Sequence, residues 1–263
     1  MATCLENLFL KYFIKIVEKD KVKISVVSYL NSIPFVNGLE KNPSNELIVS
    51  KDIPSECASK LIDGRVDIGL IPIAMIHKVP NAEIISDYCI GSNGKVASVL
   101  LVSNCPIEEI ETIYQDNQSR TSVALAKILM RDYWKKVVSW KEEDSDFLQP
   151  KQNEAIVIIG DRALRNYHQY KYVYDLSEHW KNHTGSPFVF ACWVANKKID
   201  NNLVKFLNDA FKSSLLDIDN YCDSINTESA ISGRDYLTKY IQYHLTDEAR
   251  KGMDLFLELL KSL

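Results

Sequence analysis

The sequence predicts an α/β protein built from two lobes with a ligand cleft between them. Strand-like and helix-like segments alternate along most of its 263 residues, a pattern that favours mainly parallel sheets covered by helices. Two extended runs, at 98–103 and 190–195, are placed to carry the chain between the lobes. We assign residues 1–20 to an N-terminal extension, residues 21–100 and 196–263 to a discontinuous first lobe, and residues 101–195 to the second lobe.

The N-terminal part of the first lobe follows a βαβαβ pattern. Strands are predicted at KISVVSY (23–29), ELIVSKD (46–52) and VDIGLIPI (66–73), with a helix after each of the first two. Pro34 stands at an early position of the first helix, where its missing N–H costs nothing, and Gly64 ends the second helix. The crossovers of such a unit are expected to be right-handed.

The middle of the chain and its C-terminal part have a different order of predicted strands, turns and helices. Two strands surround the turn at 91–94, residues 111–134 form a short strand, a polar loop and a helix, and residues 154–166 form a strand that runs into a helix. The apolar residues of 1–20 recur at helical spacing, which predicts an amphipathic helix rather than a secretory signal. Helices are also predicted at 201–222, 233–245 and 246–263.

Composition excludes several classes of protein. The chain is 46% hydrophobic and 25% charged with a net charge of -4, so it offers no basic surface for nucleic acid and no run of roughly 18 apolar residues for a membrane span. The six cysteines form no CxxC pair, and His179 and His183 lack a further ligand cluster, so no metal is expected. Without GxGxxG or a phosphate loop, no nicotinamide or nucleotide cofactor is expected either. A cytoplasmic protein that is a monomer or a homodimer is predicted.

The segment DNQSRTSVALAKIL (116–129) is the strongest local signal for a binding site. Ser119 or Thr121 can cap the predicted helix, and the first turn adds Arg120 and Ser122. A helix start presents unpaired N–H groups and a positive dipole end, which together attract a carboxylate or phosphate. Simple capping, with Arg120 in solvent, is the alternative.

Polar residues at the ends of two predicted strands supply further candidates. Ser28, Tyr29 and Asn31 stand at the carboxyl end of the first strand, where side chains of a parallel sheet face a cleft. Ser98 interrupts an otherwise apolar crossing strand, although its hydroxyl could also simply bond to the backbone. An Asx turn is the alternative for Asn31. Gly160 and Asp161 stand at another junction of strand and helix.

Six segments in this order resemble one family. They are VSYLNSIP, GRVDIGLIPI, GKVASVLLVS, SRTSVALAKIL, IGDRAL and WKNHTGSPFVFACWVA. The sequence is similar to the chorismate dehydratases of the futalosine route to menaquinone over roughly residues 22–263. The resemblance implies a periplasmic-binding-protein-like fold of type II, used as a cytoplasmic enzyme that removes water from chorismate without a cofactor. The product is 3-[(1-carboxyvinyl)oxy]benzoate.

The resemblance also assigns roles to particular residues. The Asn of the family's "LN" motif falls on Asn31 and the Ser of its crossing strand on Ser98, and both are implicated in substrate handling. The SRTS motif covers 119–122, which agrees with the anion site inferred from the helix start. We therefore predict Asn31 and Ser98 as catalytic. The predicted substrate-binding residues are Ser28, Tyr29, Ser119, Arg120, Thr121, Ser122, Gly160 and Asp161.

Two other functions are compatible with the sequence. A solute-binding protein for a small carboxylate would use the same fold but requires export, and no export signal is recognised at 1–20. The enzyme of the same pathway that makes 1,4-dihydroxy-6-naphthoate resembles the chain less at SRTSVAL and TGSPFVFA. It is thought to use a histidine base, which cannot be placed among the histidines of this sequence.

Overall fold

A computed structural model describes residues 21–116, 119–143 and 149–263. The predicted N-terminal extension at 1–20 lies outside the described residues. Two separate β-sheets form, one of six strands and one of five. We call the six-stranded sheet with its helices the first lobe and the five-stranded sheet with its helices the second lobe. Among the helices of the described ranges, none is both long and apolar enough to cross a membrane.

Strands and helices alternate along most of the described chain, and the elements at 139–143, 172–175 and 176–184 were not predicted from the sequence. The strands are β1 (Val22–Val27), β2 (Leu47–Asp52), β3 (Ile68–Pro72), β4 (Glu83–Ser92), β5 (Val99–Ser103), β6 (Thr112–Asp116), β7 (Ser139–Glu143), β8 (Glu154–Ile159), β9 (Tyr172–Asp175), β10 (Phe188–Ala195) and β11 (Gln242–His244). The α-helices are α1 (Ile33–Lys41), α2 (Pro54–Ile62), α3 (Arg120–Ile128), α4 (Gly160–Asn166), α5 (Leu176–Thr184), α6 (Asn201–Leu216), α7 (Gly233–Asp235) and α8 (Asp247–Leu260).

The sheet of the first lobe has the strand order β11-β4-β10-β3-β1-β2. β1 pairs in parallel with both β2 and β3, which confirms the predicted βαβαβ unit. β10 lies between β3 and β4 and runs antiparallel to both. The chain therefore returns to the first lobe after it has built the second.

The core of the first lobe is aromatic and centres on β10. Trp193 stacks on Phe211 of α6 with ring centroids 4.8 Å apart, and Phe35 of α1 meets Trp193 edge-on at 5.6 Å. All three side chains are fully buried, and aromatic rings of this size bury about 150–250 Å² each. Because helices and strands cover both faces of β10, all eight of its residues are buried.

The second lobe has the strand order β7-β6-β8-β5-β9. Both faces of this sheet are covered at β5. Val99 and Leu101 join the main core on one face, whereas Leu100 and Val102 pack in a smaller cluster with Ile158 on the other. Side chains alternate between the two faces of a strand, so the apolar residues at 99–102 make β5 an interior strand that is buried on both faces.

The chain passes between the sheets at places that differ from the prediction. The runs at 98–103 and 190–195 lie largely within strands β5 and β10, so the passages themselves are 93–98 and 185–187. The boundary drawn at residue 195 falls at the end of β10, a strand of the first sheet. Pairing with β3 and β4 makes the predicted extended run part of the first sheet, and the local pattern does not show with which strands the run pairs.

The helix predicted at 233–245 is only partly present in the structure. Only the three residues of α7 and a π-helical turn at Tyr236–Tyr240 are helical, and Gln242–His244 forms β11. β11 pairs with the edge of β4, and this tertiary pairing overrides the local helical pattern. The predicted start of the last helix is confirmed, since Thr246 accepts a hydrogen bond from the Ala249 N–H at 3.2 Å.

A buried carboxylate, Asp175, fixes the first passage between the lobes. Its Oδ2 accepts hydrogen bonds from the N–H groups of Val96 and Ala97, at 3.0 and 2.7 Å. Its Oδ1 caps α5 by accepting from Ser177 and Glu178, both at 3.1 Å. One side chain therefore ties the passage at 93–98 to the start of a helix in the second lobe.

We expect the substitution Asp175→Asn to lower the free energy of unfolding by about 2 kcal/mol. An amide can still cap α5 with its single oxygen, but its NH₂ group then faces two N–H donors, and hydrogen bonds to charged groups contribute about 1.5–3 kcal/mol. Urea unfolding measures the loss. Asp200→Asn is the matched control, because the exposed Asp200 only caps α6 through the Asn202 N–H. Equal effects of the two substitutions would contradict this role of Asp175.

Candidate functional site

A small cavity of about 50 Å³ lies between the two lobes. Both lobes and the passage at 93–98 contribute to its wall. Its polar lining consists of a phenol, an amide and three serine hydroxyls, and none of the described lining residues carries a charge. The lining residues are Val27, Tyr29, Asn31, Pro54, Pro72, Ile90, Val96, Ser98, Val99, Ser119, Ser122, Ile159, Gly160, Phe190 and Ala191.

Most of the residues predicted for the site share this cavity. Tyr29 and Asn31 reach it from the end of β1, and Ser98 reaches it from the passage before β5. Ser119, Ser122 and Gly160 line the opposite side, from the second lobe. Residues that are far apart in the sequence therefore converge where the strand ends of the two sheets face each other.

The start of α3 presents two hydroxyls to the cavity. Ser119 is the N-cap: its Oγ accepts the Ser122 N–H at 3.3 Å and donates to the Ser122 hydroxyl at 2.8 Å. Residues three apart share a helix face, which explains why both serines line the cavity. Arg120, one position on, is exposed and is not part of the lining.

Two predicted binding residues bridge the lobes instead of lining the cavity. Thr121 Oγ1 accepts the Ala74 N–H at 3.2 Å, and Asp161 Oδ1 accepts the Leu30 N–H at 3.1 Å. Burial raises the pKa of Asp161, and the Leu30 N–H partly offsets this by favouring the carboxylate. Ser28 is exposed because successive side chains of an extended segment alternate, and its neighbours Val27 and Tyr29 face the cavity.

A tyrosine that the sequence analysis missed stands behind Ser98. The hydroxyl of Tyr236 donates to Ser98 Oγ at 2.9 Å, and the residue is fully buried. Burial raises the pKa of Tyr236 well above its ordinary value, so the phenol stays protonated at neutral pH. No local pattern marks this residue, because the two partners are separated by 138 positions.

Tyr29 is held between the cavity and a buried ion pair. Burial, reinforced by the Asp116 carboxylate, raises the pKa of Tyr29 above its ordinary value. Asp116 pairs with Arg162 of α4. Arg162 lies in the IGDRAL segment but was not predicted as a site residue. Its partner Asp116 is at the end of β6, far from that segment in the sequence.

The histidine pair considered for a metal has aromatic neighbours. The His179 ring lies 4.9 Å from the Trp134 ring and 5.6 Å from the Tyr133 ring, and His183 also lies 5.6 Å from Tyr133. Among the residues described, no group of three or more potential metal ligands occurs. Burial lowers the pKa of His179, so this histidine is neutral at pH 7.

Gly160 gives a direct test of how tightly the cavity is built. Its φ is +61° and a Cβ there would lie 3.0 Å from ring atoms of Tyr29. Gly64→Ala provides the control, because Gly64 has a φ of +70° and open space around it. We expect both substitutions to cost about 1 kcal/mol for the left-handed backbone, and Gly160→Ala to cost roughly a further 1 kcal/mol or more for the overlap. Equal losses in urea unfolding would show that the ring of Tyr29 moves freely.

Comparison with solved structures identifies the fold. The chain is similar to a Candida albicans protein whose structure is described as the generic periplasmic binding protein fold. The TM-score is 0.58 at 11% identity, over 92% of this chain and 90% of that one. The predicted periplasmic-binding-protein-like fold with two α/β lobes is thereby confirmed. At this level of identity the likeness concerns the fold alone.

Comparison of sequences identifies the family. A chorismate dehydratase of Campylobacter jejuni is 28% identical over 240 residues, which cover 89% of this chain and 92% of the relative. A chorismate dehydratase of Thermus thermophilus is 24% identical over 231 residues, 79% of this chain and 84% of the relative. The family model described as menaquinone biosynthesis matches residues 22–262. This chain therefore belongs to the menaquinone biosynthesis family.

Proposed function

We propose that the protein is a chorismate dehydratase, a hydro-lyase that converts chorismate to 3-[(1-carboxyvinyl)oxy]benzoate in the futalosine route to menaquinone. One observation carries the proposal most directly: Asn31 and Ser98, the residues predicted to be catalytic, line the same cavity between the lobes. Membership of the menaquinone biosynthesis family and the two relatives named as chorismate dehydratases support it.

The chemistry asks little of the protein. Chorismate carries a hydrogen on the ring carbon that bears the enolpyruvyl ether, and a hydroxyl on the neighbouring ring carbon. Loss of both gives a benzene ring, so aromatisation supplies the driving force and no cofactor is needed. The site has to orient the substrate and stabilise the charge that develops on the leaving oxygen.

The absence of charged side chains among the described lining residues favours a base supplied by the substrate itself. In this scheme the side-chain carboxylate of chorismate takes the ring proton. The C–H electron pair forms the new ring double bond, and the C–O pair leaves with the hydroxyl oxygen. The proton and the hydroxide released are together one water, so atoms and charge balance. The desolvation of a carboxylate in an uncharged cavity raises its basicity.

The helix start is suited to hold a carboxylate of the substrate. Ser119 and Ser122 bring hydroxyls to the cavity wall, and the first turn of α3 adds its positive dipole end. Such an anchor binds a carboxylate without a positively charged side chain that would lower the basicity of the substrate's other carboxylate. Arg120 is exposed, so in this proposal its charge acts on the substrate only from the protein surface.

The size of the cavity implies that the lobes move. At about 50 Å³ it is far smaller than the roughly 300–1,000 Å³ of typical pockets for small molecules. The bonds of Thr121 and Asp161 across the lobes hold this closed arrangement. We therefore propose that the lobes separate to admit chorismate and close over it, which excludes water during the elimination.

Incubation of the purified protein with chorismate, followed by mass spectrometry, tests the proposal. We expect the substrate to lose one water and give an aromatic product. Bound chorismate that remains intact would favour a solute-binding protein. No reaction with chorismate, but conversion of the later intermediate to 1,4-dihydroxy-6-naphthoate, would favour the related enzyme of the pathway.

We expect Asn31→Ala and Ser98→Ala each to lower kcat roughly 100-fold, since removal of one hydrogen-bonding group from a transition-state site costs about that much. Initial rates of product formation measure the change. Asn45→Ala, which removes the same amide from an exposed position, is the control and should leave the rate as it was. If both cavity variants turned over chorismate at the wild-type rate, the assignment of these two residues would be wrong.

A further inference from the structure

We propose that Tyr236 is a positioning residue that fixes the direction of the hydrogen bond at Ser98, which shares the cavity wall with the amide of Asn31. As a result the cavity offers a hydroxyl group of the substrate one donor and one acceptor. The inference rests on the proposed dehydratase function and deepens it, because it names the group that the two residues recognise.

Tyr236 acts from behind the cavity wall. Its hydroxyl donates to Ser98 Oγ at 2.9 Å, yet it is fully buried and does not belong to the lining. It therefore reaches a substrate only through Ser98. The backbone of Ser98 is fixed separately, since the Gly160 N–H donates to the Ser98 carbonyl at 2.8 Å.

The bond from Tyr236 determines which partner Ser98 can still accept. A hydroxyl has one hydrogen to donate, and Tyr236 uses its hydrogen on Ser98 Oγ. The hydrogen of Ser98 is not used in any hydrogen bond within the described part of the chain. Because Ser98 lines the cavity, it is left to act as a donor there.

Asn31 supplies the acceptor of the pair. It lines the same cavity as Ser98, and its amide oxygen can only accept hydrogen bonds. Asn31 Oδ1 is buried without a hydrogen-bond partner in the described residues, so it is available to a hydroxyl of the substrate.

The consequence is a matched pair of groups at the cavity wall. Ser98 offers a hydrogen and Asn31 offers an oxygen lone pair, and a hydroxyl is the group that uses both at once. A carboxylate could accept from Ser98 but would face the Asn31 oxygen with its own negative charge. We therefore assign the leaving hydroxyl of chorismate to this position, where Ser98 stabilises the negative charge that grows on the departing oxygen.

A double-mutant cycle tests the inference. We expect Tyr236→Phe to lower kcat by roughly tenfold with KM within about threefold, because one oriented hydrogen bond is lost from the transition state. In the Ser98→Ala background the same substitution should change kcat by less than about twofold, since the residue acts only through Ser98. An unchanged kcat in the single variant, or an equal loss in both backgrounds, would overturn the inference.

Tyr243→Phe is the matched control. Tyr243 is also a buried tyrosine of the C-terminal part, but its hydroxyl has no hydrogen-bond partner among the described residues. Its substitution removes the same atom and should leave kcat and KM at wild-type values. A loss as large as that of Tyr236→Phe would show that both effects come from disturbed packing.

A second variant keeps the test decisive if Tyr236→Phe does not fold. 3-Fluorotyrosine placed at position 236 retains the ring and the hydroxyl and makes the phenol a stronger donor. We expect it to change kcat when Ser98 is present and not in the Ser98→Ala background; no change in either, or the same change in both, would contradict the inference. Wild-type turnover of chorismate in the same assay tests the proposed function separately.

Discussion

The buried carboxylate of Asp175 is the constraint on which the arrangement of the lobes depends. Four backbone N–H groups converge on it, two from the passage between the lobes and two from the start of α5. A buried carboxylate is tolerated only when it is hydrogen-bonded in this way. The passage it holds continues directly into Ser98, so a single buried group sets the position of a residue of the cavity wall.

The cavity itself combines weak polarity with strong enclosure. Its hydroxyls, amide and phenol are uncharged, and the ion pair between Asp116 and Arg162 lies behind it. Inside such a site each hydrogen bond is stronger than in water, because little solvent screens it. This environment suits a reaction whose driving force lies in the substrate and whose base is a group of the substrate.

The fold alone does not distinguish an enzyme from a binding protein. The Candida albicans structure shares the two-lobed architecture at 11% identity, and a fold of this kind accommodates many functions. The distinction lies in the wall of the cavity. A binding protein needs groups that match its ligand in the ground state, whereas the arrangement that we propose for Asn31, Ser98 and Tyr236 serves an oxygen that gains charge during a reaction.

The sequence by itself determined the alternation of strands and helices, a helix cap at Ser119 or Thr121 and the cap at Thr246, because these follow from local spacing and from short motifs. The assignment of Asn31 and Ser98 to one site came from the resemblance of six ordered segments to a family. Only the tertiary structure decided the bridging roles of Thr121 and Asp161, the exposure of Arg120, the pairing of β11 and the place of Tyr236 behind Ser98. Each of these depends on which distant segment packs against a side chain. Such contacts leave no mark in the spacing of neighbouring residues, because their energy comes from burial and hydrogen bonds that exist only once both segments are in place.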